Sequence, residues 1–83
     1  MSMAEFDPFA TGRRVREQRE ARGLGVRELA RQTGLHHKSI QAIEGGGGIT
    51  LHSLVLICKA LHQSPNALIG WQDTGGENIR HHS

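Results

Sequence analysis

The sequence contains one cysteine, Cys58, two prolines, two phenylalanines, one tryptophan and no tyrosine. A lone cysteine forms no internal disulfide, which excludes a small secreted fold stapled by bridges. Cys58 follows Leu56 and Ile57 in an apolar stretch and reads as a buried, inert thiol. With so few aromatic rings, the core has to be built from Leu, Ile, Val and Ala, which suits a helical bundle and argues against a β-sandwich. No apolar run is long enough to cross a bilayer, and the opening MSMAEFDPF lacks the plan of a signal peptide. The expected setting is therefore the cytosol, with no membrane partner. At 83 residues the chain makes one domain. Such a domain buries only about 60% of its unfolded surface, too little for a deep catalytic cleft beside a core.

What the chain does have is unevenly placed positive charge. The formal net charge is +2, yet between Arg13 and Lys38 eight basic residues stand against three acids, a local net of +5. A basic end of this kind is the footprint of a polyanion binder. A salt-bridged, solvated face is the alternative, because Glu17, Glu20 and Glu28 interleave with the arginines.

Helical periodicity organises the stretch from Val26 to Gly46. Leu29, Ala30 and Thr33 share one face at three-and-four spacing, and Ile40 and Ile43 share another. Gly34 stands between them, where a left-handed backbone comes cheaply only to glycine. Two short helices joined by a sharp turn fit this pattern, with Ala30 small enough for the helices to cross. That is the layout of a DNA-binding helix-turn-helix. The stretch resembles the phage-repressor (Xre/Cro-type) family, on Leu29-Ala30, Gly34-Leu35, Ile40 and Ile43-Glu44. The resemblance covers about residues 10–70 and implies a compact all-α, five-helix domain of the lambda-repressor type.

Taken in order, residues 1–7 are expected to be flexible, and Asp7-Pro8 reads as an N-cap followed by a first-turn proline. Helix 1 is predicted from Pro8 to Arg22, stopped by Gly23, with a thin apolar face of Phe9, Val15 and Ala21. Gly12 allows close approach. Helix 2 is predicted over Val26–Thr33 and helix 3 from His37 to Glu44 or Gly45, with His36 as a poorer cap than the family's serine. The run from Gly45 to Gly48 reads as a flexible hinge, or as glycine amides approaching a phosphate. It lacks the Lys, Arg and Pro that the family carries there, and Val26 replaces a frequent phosphate-clamping Gln. Thr50 caps helix 4, apolar on most of its circumference and so expected to be central and most buried. Ser64-Pro65 starts a brief helix 5 that Gly70 ends. The domain is thus expected over residues 8–71, with a disordered tail over 72–83.

By similarity to family positions, His37, Lys38, Gln41 and Ala42 are the expected base contacts. Lys38 donates to guanine, Gln41 pairs with adenine or a phosphate, and Ala42 meets a thymine methyl. Arg13, Arg14, Arg27, Arg31 and Ser39 are the expected phosphate contacts, which position the protein without specifying sequence. Exposed polar residues need no ligand, so the family pattern carries these assignments. Arg19 and Glu44 match a family pair that ties helix 1 to the end of helix 3. Leu68, Ile69 and Trp71, helped by the outer face of helix 4, are the expected homodimer interface, the other use of Trp71 being to fold back on helices 1 and 5.

The histidines offer no metal site: His36-His37, His52, His62 and His81-His82 match neither HExxH nor a zinc Cys/His spacing. Neither a catalytic constellation nor a phosphate-cradling GxxxxGK[ST] is present, so no enzyme activity and no cofactor are expected. The resemblance implies a transcriptional regulator, a homodimeric repressor binding double-stranded DNA at an inverted repeat. The alternative is an antitoxin-like or accessory module that uses the fold with a protein partner.

Overall fold

The computed structural model describes residues 7–70. Five helices follow in order: α1 (Pro8–Ala21), α2 (Val26–Thr33), α3 (His37–Glu44), α4 (Leu51–Leu61) and α5 (Pro65–Ile69). Among the described residues there is no strand. The expected flexible ends, apart from Asp7, and Trp71 lie outside these residues.

Each start has its chemical cause. The Asp7 carboxylate accepts from the amides of Phe9 and Ala10, the Thr50 hydroxyl from Ser53, and the Ser64 hydroxyl from Ala67. Each satisfies a donor that the first helical turn leaves free. At α2 Gly25 makes no side-chain cap.

Six side chains drawn from all five helices form a centre that water does not reach: Val15, Leu29, Ile40, Ile57, Leu61 and Leu68 are each 0% exposed. Burying one such side chain is worth about 1.5–3 kcal/mol. α1 packs on α3 and α5, and α2 packs on α3 and α4, so α3 is seated between the first two helices.

Several expectations need correcting. α1 ends at Ala21, and its buried face is Ala10, Thr11, Gly12, Val15 and Arg19; Phe9 is 66% exposed and Ala21 is exposed. The run of small residues brings the backbone close to α3: a Cβ on Gly12 would overlap the carbonyl oxygen of Ile43. α4 is not buried all round. Leu54, Ile57, Cys58 and Leu61 face the core, while Leu51 is 75% and Val55 41% exposed, since no described element covers that side. Burial pushes the Cys58 thiol up, as an inert cysteine requires.

The glycine run, expected as a hinge, leaves α3 through a hydrogen-bonded turn. Gly46 N–H donates to Ile43 and Gly47 N–H to Ala42, and Gly46 has φ +93°. The Phe9 ring fills the space a Cβ on Gly46 would take, and one on Gly47 would lie 2.9 Å from the Ala42 oxygen. Leu68 is also reassigned. It is a core residue of its own chain and out of a second copy's reach.

Candidate nucleic-acid interface

The connection between α2 and α3 is tightened by one side chain. Thr33 donates its hydroxyl to the Leu29 carbonyl at 2.9 Å and accepts from the Leu35 amide at 3.2 Å, bracketing Gly34, whose φ is +79°. Sequence reasoning placed Thr33 on the apolar face and missed this clamp. A threonine just before the turn glycine was the available signal, since its hydroxyl has local backbone groups within reach.

The start of α3 is capped by an imidazole. His36 Nδ1 accepts from the Lys38 amide at 3.1 Å. His36 and His37 stack with centroids 4.5 Å apart. His37 is half-buried, and desolvation first, then the positive charge of Arg27 and then His36, hold it below the ordinary histidine value. With Arg27, Ala30, Arg31, Gly34, Leu35 and His36 it lines an open groove of about 370 Å³.

Along α3, Ile40 and Ile43 are buried, and Lys38, Ser39, Gln41 and Ala42 are exposed. These four expected contact residues therefore share the helix surface turned away from the core, with His37 beside them at the groove. Arg13 and Arg27 are exposed. Arg31 donates to Glu28, which also accepts from Gln32 at 3.0 Å. Those bonds, Arg31 first, hold the Glu28 carboxyl below its usual range. Arg14 is placed elsewhere: its guanidinium donates to the Ile69 carbonyl at 3.2 Å and occupies the space that a Cβ on Gly70 would need. It ties α1 to the end of α5, an internal partner that its expected phosphate role did not foresee.

The far end of α3 is anchored to α1. Arg19 Nε donates to Glu44 Oε2 at 2.7 Å and Nη2 to Oε1 at 2.9 Å, while Nη1 donates to the Leu24 carbonyl at 2.8 Å. The side chains are 10% and 9% exposed. The hydrogen bonds to Glu44 raise the Arg19 guanidinium above its usual value, despite burial. Among the described residues no group of His, Cys, Asp and Glu is arranged to hold a metal ion. No described helix is long and apolar enough to cross a membrane.

Residues 10–68 match the family described as a helix-turn-helix domain. The chain belongs to that family, in its phage-repressor-like branch. The restriction-modification controller protein C.AhdI of Aeromonas hydrophila is 31% identical to this helix-turn-helix protein, with a TM-score of 0.71 over 74% of this chain and 94% of that one. SinR, the master regulator for biofilm formation, solved in complex with DNA, is 23% identical with a TM-score of 0.67, over 70% of this chain and 95% of that one. At that identity the likeness is one of fold. HppE, in its iron(II) form with an alternative substrate, is 25% identical with a TM-score of 0.70, over 80% of this chain and only 35% of that one. A helix-turn-helix domain of this shape therefore also occurs as the smaller part of a longer chain, and fold alone does not fix function. A comparison with curated protein sequences finds no match.

Proposed function

We propose that the protein is a DNA-binding transcriptional regulator, acting as a homodimeric repressor that reads an inverted repeat with α3. One observation carries this: the outward face of α3 presents Lys38, Ser39, Gln41 and Ala42 together, on a helix whose other face is fixed in the core. Side chains of these types match base edges and phosphates in the major groove. Arg13 and Arg27 supply charge for phosphates, and Arg31 joins them if it exchanges Glu28 for a phosphate. The family match and the 31% identical restriction-modification controller protein support the same reading.

The dimer reading now rests on α4. Leu51 and Val55, one turn apart and exposed, form an apolar stripe of the kind that interfaces cover, and half-buried Ile69 of α5 remains a candidate. A two-fold axis there pairs two recognition helices and calls for a palindromic site with half-sites about 10 base pairs apart.

Salt dependence tests the DNA reading. Affinity for duplex DNA should fall steeply with salt, and Arg27→Ala should make the log-log slope shallower by roughly 0.9 for one lost phosphate contact. Salt-independent affinity, or no duplex binding, contradicts it. In the second case the exposed Leu51–Val55 stripe favours the protein-partner module instead.

A further inference from the structure

The groove between α2 and the start of α3 gathers more titratable chemistry than positioning on DNA requires. Around half-buried His37 stand Arg27 and the Glu28-paired Arg31 from α2, and His36 and Lys38 from α3. His36 holds the cap, its Nδ1 accepting from the Lys38 amide. The rings stack at 4.5 Å, so two protonated imidazoles would repel each other. In the free protein desolvation first, then the Arg27 charge and then His36, oppose a positive His37.

We propose, building on the DNA-binding reading above, that a phosphate of the duplex backbone seats in this groove between Arg27 and His37, and that His37 takes up a proton as the duplex binds. The groove is open and holds about 370 Å³. Gly34, one of its lining residues, is exposed and has nothing within 4 Å of where a Cβ would stand, so that wall is open to an approaching backbone. A phosphodiester beside Arg27 offsets the field that opposes a positive imidazole and offers an oxygen to the imidazolium N–H. Both effects favour the charged ring. His37 then serves the backbone, leaving Lys38, Gln41 and Ala42 to face bases.

The sign follows from linkage. Above the bound-state midpoint His37 is neutral in both states, and below the lower free-state midpoint it is charged in both, so affinity changes only between them. In that window it rises as pH falls, by up to about tenfold per pH unit per protomer.

The test titrates the full chain with a short random-sequence duplex at constant ionic strength, between about pH 5.5 and 8.5. Affinity is followed beside the histidine ring resonances. The expected result is a His37 midpoint raised by about one unit or more in the complex and an affinity that climbs toward acid pH. His37→Gln lowers the affinity as well, so the slope is the readout: it should flatten there and persist in His36→Ser, which keeps a capping oxygen. Inorganic phosphate at the same phosphate concentration should leave His37 unmoved, and an equal shift with it overturns the duplex as occupant. A slope that survives His37→Gln overturns the assignment to His37. A pH-independent affinity in a chain that does bind duplex overturns the proposal and leaves the DNA reading intact, whereas no binding at any pH removes both.

Discussion

At its C-terminal end α3 is clamped by a buried, bidentate ion pair to Arg19 and by the close approach of Gly12 to the Ile43 carbonyl. At its N-terminal end it rests on lighter contacts, the His36 imidazole cap and the Thr33 hydroxyl across the turn. One end is fixed by groups whose removal leaves a charge unpaired in the interior. The other is held by the hydrogen bonds of an exposed imidazole and a buried hydroxyl, beside the residues proposed to meet DNA.

Substitutions should separate the two ends by size of effect. Arg19→Ala should be the most damaging, at about 3 kcal/mol, because it strands the Glu44 carboxylate and the Leu24 carbonyl in a nearly dry site. A double-mutant cycle with Glu44→Ala, read by denaturant unfolding, should give strong coupling. Coupling near zero would erase the contrast between the ends. Gly12→Ala comes next, at about 1–3 kcal/mol, since the added methyl must push α1 away from α3. A fully stable Gly12→Ala protein would mean that the seam between these helices is looser than described. His36→Ala should cost only about 1 kcal/mol, as the loss of one N-cap does, with His36→Ser recovering it. A loss as large as that of Arg19→Ala would show that both ends are equally rigid.

These differences bear on what the sequence disclosed. α2, the turn and α3 were legible because Gly34 interrupts two apolar faces of fixed period, a pattern with few alternative folds. The Arg19–Glu44 pair was legible through the family resemblance. Burial around α4 was not: periodicity counts apolar residues but does not say whether another element covers each face, and Leu51 and Val55 have none among the described residues. Leu68 was misplaced for a related reason, because in a five-residue helix one inward side chain is hard to tell from an outward one. Charge and a place on helix 1 suggested phosphate for Arg14. Only the three-dimensional meeting of α1 with Ile69 and Gly70 gives that guanidinium an internal partner. The glycine run looked flexible because the Phe9 ring and the Ala42 carbonyl that shape it are near only in the fold.

The central claim, that the exposed face of a firmly mounted α3 reads DNA sequence, is tested most directly by selecting bound duplexes from a random pool at physiological salt, with the parent chain and Lys38→Ala side by side. The account predicts an inverted repeat for the parent and an altered preference within each half-site for Lys38→Ala. No enriched sequence for the parent, or the same sequence for both proteins, would contradict it.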